Sequence, residues 1–181
     1  MGKIVSNFFI SLDGVVESPD KWHFPYFNDE MGASIEAGMQ TAAGFLMGRT
    51  LYDEWSAYWT ATDADQDFAT FINNARKYVV SNTLEKADWN NTTVISGDAA
   101  ARLREIKEQA DGDIQMSGSA TTVRWLLAHG LLDELHLLVH PIVVGRGQRL
   151  FEDTPTHPLK LVKSETFQTG VLDLTYVPDA G

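Results

Sequence analysis

Ile114-Gln115-Met116-Ser117-Gly118-Ser119-Ala120 opens the stretch that decides the fold, and it continues through Val123, Leu126 and Leu127 to Gly130. A short apolar run gives way to three small residues. Apolar positions then recur at helical spacing over Ala120 to His129 until a glycine stops the chain. This is a strand, a tight turn and a helix, the repeating half-unit of a parallel α/β sheet.

The same alternation extends upstream. Ile4 to Leu12 reads as a buried strand ending at the turn Asp13-Gly14, and an irregular stretch from Glu17 to Phe27 carries Pro19, Pro25 and four aromatics. Asn28 is placed to cap a helix whose first turn holds Asp29 and Glu30, with Met31, Ile35, Met39 and Ala42 or Ala43 facing inward. Phe45-Leu46-Met47 stops at Gly48-Arg49-Thr50, and Leu51 to Trp55 has helix-compatible spacing ahead of the acidic loop Thr60 to Asp67. Phe68, Phe71, Ile72 and Ala75 mark another helical face. Lys77 to Val80 and Thr92 to Ile95 predict strands, with Ala99 to Ala110 a helix after them.

Downstream of Gly130 the helices stop. Leu135 to Val144 is strongly β, with Pro141 implying an edge or a bulge near its end. Leu159 to Glu165 and Val171 to Val177 flank Thr169-Gly170 as an antiparallel pair. Right-handed crossovers make this one three-layer α/β domain over residues 1–181, a mostly parallel central sheet with an antiparallel C-terminal hairpin.

Composition limits the function. At 181 residues with 44% hydrophobic and 22% charged side chains, the chain is globular and long enough to bury a core without a staple. The absence of Cys excludes disulfides, thiolate metal sites and Cys nucleophiles. Asp and Glu total 25 against 14 Lys and Arg, a formal charge of −11, and no basic run supplies the surface a nucleic-acid backbone requires. No candidate membrane span or secretion signal stands out, so the expected location is cytoplasmic and the expected partner a small-molecule substrate.

Ligands of such sheets gather at the C-terminal ends of parallel strands. Three polar turns are placed there: Gly48-Arg49-Thr50, Ser81-Asn82-Thr83 and Ser117-Gly118-Ser119. Small residues admit a ligand to the backbone, and the free N–H groups of a following helix suit a pyrophosphate. Arg49 could pair with a cofactor phosphate or only with Asp53 at i+4. Gly145-Arg146-Gly147 has the spacing of a dinucleotide turn but leads into no helix, so turn residues are the simpler reading. His136 and His140 would sit on one strand face roughly 13 Å apart, too far to share a metal, and no metal site is expected. Asp13 is the carboxylate expected in the cleft, where it could orient a water for proton delivery or serve as an Asx turn with Gly14. Trp22, Phe27 and Trp55 could wall a planar ligand, cover a sheet face or fill an interface.

Taken in order, Ser11-Leu12-Asp13-Gly14, Gly48-Arg49-Thr50, Ser81-Asn82-Thr83, Ser117-Gly118-Ser119, Gly130-Leu131-Leu132-Asp133-Glu134-Leu135, Pro141, Gly145-x-Gly147 and Leu150-Phe151 resemble the reductase domain of bacterial riboflavin biosynthesis deaminase-reductase enzymes. The resemblance covers residues 3–177 and implies the dihydrofolate-reductase-like fold, without the deaminase domain. It implies a reductase of the 5-amino-6-(5-phosphoribosylamino)uracil reductase type using NADPH, often a homodimer. Leu46, Gly48, Arg49 and Thr50 would border the cofactor. Arg49 with Ser81, Asn82 and Thr83 would lie toward the 2′-phosphate, Gly118-Ser119 would carry the pyrophosphate at a helix start, and Ser117 would also bind the cofactor.

This chain departs from the family on the substrate side. Asn7 stands where the riboflavin enzymes have Lys, Ser117 stands where they have Glu, and no Arg occurs from Glu36 to Gly44. These departures argue against a ribose-phosphate substrate and leave a pterin- or pyrimidine-like heterocycle, a carbonyl or an imine. A non-catalytic nucleotide- or flavin-binding protein on the same fold is the alternative.

Overall fold

In the computed structural model, which describes residues 1–179, eight strands form one mixed sheet in the order β4-β3-β2-β5-β1-β6-β8-β7. The strands are β1 (Ile4–Ser11), β2 (Ala42–Gly48), β3 (Lys77–Val80), β4 (Thr92–Ile95), β5 (Asp113–Met116), β6 (Glu134–His140), β7 (Leu159–Thr166) and β8 (Leu172–Pro178). Strands β1 to β6 pair in parallel. Only β8 on β6 and β7 on β8 run antiparallel, as the closing apolar pair predicts.

Five α-helices cover the sheet: α1 (Asp29–Gln40), α2 (Arg49–Trp59), α3 (Gln66–Asn74), α4 (Ala99–Gln109) and α5 (Ala120–Ala128). Four begin at a side chain that accepts a hydrogen bond from the first turn: Asn28, Asp65, Asp98 and Ser119. The period-two alternation of the strands then sorts the core. Ile4, Phe8, Leu46, Ile114 and Met116 meet Leu103, Ile106, Val123 and Leu126 of α4 and α5. On the other face Phe45, Met47 and Val79 pack with Tyr52, Ile72 and Trp89, while Met31 of α1 packs with Leu138, Phe167 and Val171.

Three local expectations change. Ala42 and Ala43 are already in β2, because Thr41 ends α1 and the chain turns directly into the sheet. The helix expected over Leu51 to Trp55 extends from Arg49 to Trp59, so Arg49 and Thr50 form its first turn. Strand β6 ends at His140 and lies between β1 and β8, so Pro141 marks neither an edge nor a bulge; without an N–H it falls just outside the ladder. The irregular stretch after β1 contains two single-turn 3-10 helices, Pro19–Lys21 and Phe24–Tyr26.

Candidate active site

The turns after β2, β3 and β5 meet at one edge. A Cβ on Gly48 would fall 2.9 Å from Thr122 Oγ1 and 3.7 Å from Ser119 Oγ, so glycine lets the β2–α2 turn approach the start of α5 without displacing the Thr122 side chain. Ser119 caps α5 by accepting from the Thr122 N–H. Two helix N-termini therefore open side by side. Arg49 begins α2 with its Nε donating to Asp53 Oδ2 at 2.7 Å, so both the phosphate-arm and the surface-pair readings of its side chain remain available.

Strands β3 and β4 are tied at their ends. Ser81 Oγ accepts from the N–H groups of Thr83 and Leu84, and Asn82 Oδ1 accepts from Gly97 N–H at 3.0 Å. Beyond them opens a cleft of about 540 Å³ between Ser81, Asn82, Gly97 and Asp98 on one side and Trp125 of α5 and His129, the residue that caps it, on the other. The rings of Trp125 and His129 lie 4.4 Å apart. Gly97, Asp98, Trp125 and His129 carry none of the motifs singled out from the sequence. Trp125 of α5 and its C-cap His129 are spaced i and i+4 and were available as a signal, whereas the approach of the Gly97 turn is a tertiary fact.

Not every expected cofactor contact reaches this edge. Leu46 has no exposed surface and belongs to the core beneath α4 and α5, because strand parity turns it away from the polar turns. Thr50 and Ser117 are exposed at the edge, and Gly118 is buried.

A second group of residues lies beyond β1. The Asp13 carboxylate accepts from Ser11 Oγ at 2.6 Å, Val144 N–H at 3.0 Å and Gly145 N–H at 2.8 Å, and Arg149 Nη2 lies 3.8 Å away. The Ser11 hydroxyl and the backbone donors hold it ionised, with its pKa down to about 2. Asp13 thus anchors the loop that begins at Pro141.

Beside this anchor, Phe9 stacks on His23 at 4.4 Å and 12°, and His140 meets Phe9, Trp22, His23 and Tyr26 edge-on at 5.2 to 6.1 Å. Trp22 and Phe27 belong to this group, Phe27 through its edge contact with His23. Trp55 does not. It packs on Trp59 and Phe68, because the second half of α2 turns toward α3. His23 and His140 were not singled out for this site; their chemistry depends on being enclosed by rings from distant parts of the chain.

Asn7 sits in a polar row under α1 to which successive strands contribute one side chain each. Asn7 Nδ2 donates to Gln115 Oε1 at 2.7 Å, and Asn7 Oδ1 lies 2.8 Å from His136 Nδ1. His136 Nε2 is 2.6 Å from Asp173 Oδ1, and Asp173 Oδ2 accepts from Lys163 and from Ser34, each at 2.9 Å. Burial disfavours the Asp173 charge, but the bonds from His136, Lys163 and Ser34 outweigh it and hold the carboxyl well below its ordinary range. No group of three or more His, Asp or Glu side chains suited to a metal occurs among the described residues, and no helix there is long and apolar enough to cross a membrane.

With this geometry in view, the chain can be placed. The RibD C-terminal domain family matches residues 2–172, and the chain belongs to that family. It is 27% identical over 179 residues to the uncharacterized protein YyaP of Bacillus subtilis (strain 168), covering 96% of this chain and 94% of that one. Among solved structures it is similar to the diaminohydroxyphosphoribosylaminopyrimidine deaminase/5-amino-6-(5-phosphoribosylamino)uracil reductase of Thermotoga maritima, with a TM-score of 0.69 and 16% identity over 98% of this chain and 57% of that one. It is similar also to the dihydrofolate reductase of Enterococcus faecalis complexed with NADP(H), with a TM-score of 0.65 and 13% identity over 98% and 97% of the two chains. The fold is dihydrofolate-reductase-like.

Proposed function

We propose that the protein is an NADPH-dependent oxidoreductase acting on a small heterocyclic, carbonyl or imine substrate. The observation that carries this reading is the cleft walled by Trp125, Gly97 and Asn82, beside the paired helix starts at Gly48 and Ser119. The residues fit the cofactor. Trp125 offers a face for a purine, and the N-termini of α2 and α5 offer backbone donors for a pyrophosphate. Arg49 and the Ser81 turn stand at the same edge for a 2′-phosphate. Family membership supports the reading, and so does the NADP(H) held by a protein of the same fold.

The bound cofactor would supply the hydride. This chain's part is to position the acceptor near the end of β1 and to exclude water, with Phe9 and Trp22 as apolar walls. Asp13 is ionised and already accepts three hydrogen bonds. In this reading it holds the Val144-Gly145 loop and can orient a water, while the proton comes from solvent.

Incubating the protein with NADPH and a panel of pterins, pyrimidines, imines and carbonyls, and following loss of reduced nicotinamide, tests the reaction. Oxidation by at least one class is expected. Tight NADPH binding without oxidation by any of them would favour a non-catalytic binding protein, a reading that the engaged Asp13 carboxylate also suits.

A further inference from the structure

Two of the side chains lining the cleft beside Trp125 ionise, Asp98 and His129, and among the described residues that line it none is Lys or Arg. The neutral polar groups there are partly engaged. Asn82 Oδ1 accepts from Gly97 N–H, which leaves Asn82 Nδ2 as a donor, and Ser81 Oγ accepts from the N–H groups of Thr83 and Leu84. Asp98 caps α4 through Oδ1, which accepts from Ala101 N–H at 3.0 Å, and brings a negative charge to the wall. A carboxylate repels a phosphate group, so a cofactor phosphate entering this cleft needs a cation to answer Asp98.

His129 is the side chain placed to supply it. It is the exposed C-cap of α5, its ring 4.4 Å from that of Trp125 at 33°. His129 Nδ1 lies 2.8 Å from Trp125 O, and a carbonyl only accepts, so the neutral imidazole carries its proton on Nδ1. Nε2 is then the atom that changes character. It is an acceptor in the neutral ring and a charged donor in the protonated one, and histidine makes this change between about pH 5 and 8. Asp98, across the cleft at the start of α4, and the carbonyl end of α5 both suit a cation here. Arg104 of α4 approaches the backbone instead, with Nη2 3.4 Å from His129 O.

We infer that His129 is a specificity-determining residue for the cofactor's 2′-phosphate, which it binds only in its protonated form. This deepens the NADPH reading and rests on it. Arg49 supplies a positive charge at every working pH. His129 adds a second one below neutrality; above it, the phosphate meets an acceptor nitrogen and the Asp98 carboxylate. The part of the NADPH preference that depends on His129 therefore appears as pH falls.

The test compares the parent protein with His129→Gln, using freshly dissolved NADPH and NADH at about pH 6 and about pH 8 and reading binding from nicotinamide emission. A phosphate monoester itself takes up a proton near pH 6, but this acts equally on both proteins, so the ratio of their dissociation constants isolates the imidazole. His129→Gln should weaken NADPH at least about tenfold at the lower pH and less than about twofold at the higher, and should change NADH less than about twofold at both. A ring that only packs on Trp125 would affect both cofactors alike at both pH values. That result, or an NADPH ratio that is the same at both pH values, overturns the assignment and leaves the NADPH reading standing. Failure of the parent protein to bind NADPH at either pH overturns that reading and the inference with it. Superimposable circular dichroism spectra of the two proteins check that the variant is folded.

Discussion

His136 Nε2 lies 2.6 Å from the carboxylate of Asp173, a side chain only 1% exposed, and this contact joins β6 to β8 under α1. Removing Asp173 leaves His136 and Lys163 without their shared acceptor and Ser34 without its bond to the sheet. Breaking a buried pair of this kind costs about 3–5 kcal/mol. Asp173→Ala should therefore lower Tm by roughly 6–20 °C for a chain of this size, read by calorimetry. A shift within about 2 °C would mean that the row contributes little to stability.

Arg49 is held at the head of α2 by Asp53, and its Nε is the only nitrogen the bond uses. The remaining guanidinium N–H groups suit a phosphate. NADPH should bind at least about tenfold more tightly than NADH, and Arg49→Ala should remove most of that preference. Because the Arg49–Asp53 pair is exposed, the variant should keep its Tm within about 2 °C. Equal affinities of the parent protein for the two cofactors would remove Arg49 from the site.

Asp13 links pH to the Pro141 loop. Its folded pKa of about 2 lies below the ordinary carboxylate value, so its contribution is complete above about pH 4 and is lost as pH falls from about 4 toward 2. Amide exchange at Val144 and Gly145, measured relative to the intrinsic rate at each pH, should lose its protection over that window. Asp13→Asn should accelerate it at neutral pH as well. Slow exchange in the variant would show that the loop is held by other contacts.

How much of this was legible in the sequence depends on what each residue answers to. The β5–turn–α5 unit and the Asn28 cap follow from local spacing and hydrogen-bonding chemistry, and the structure has them where the sequence puts them. The Pro141 reading failed because a proline after a strand and one at its edge look alike locally. Leu46 and Trp55 were misplaced relative to the site because parity and helix rotation, not residue type, decide which way a side chain faces. The Asn7 row and the His23–His140 contact join residues more than a hundred positions apart, and only the strand order brings them together.

The phosphoribosylated pyrimidine of the riboflavin enzymes should be a poor substrate. Asn7 is already tied to Gln115 and His136, Ser117 carries no charge, and α1 has no Arg to meet a phosphate. Each missing charge-assisted contact costs about 1.5–3 kcal/mol. Steady-state kinetics should give kcat/KM below about 10⁴ M⁻¹s⁻¹, and efficient turnover would show that other groups supply the contacts.

NADPH titration monitored by tryptophan emission reports whether the cleft beside Trp125 holds a nicotinamide dinucleotide. Saturable quenching with a micromolar Kd is expected, with at least about tenfold weaker binding in Asn82→Ala/Trp125→Ala and loss of most of the quenching in Trp125→Phe. No saturable change up to about 1 mM NADPH, or a Kd unaltered by the double substitution, would contradict it.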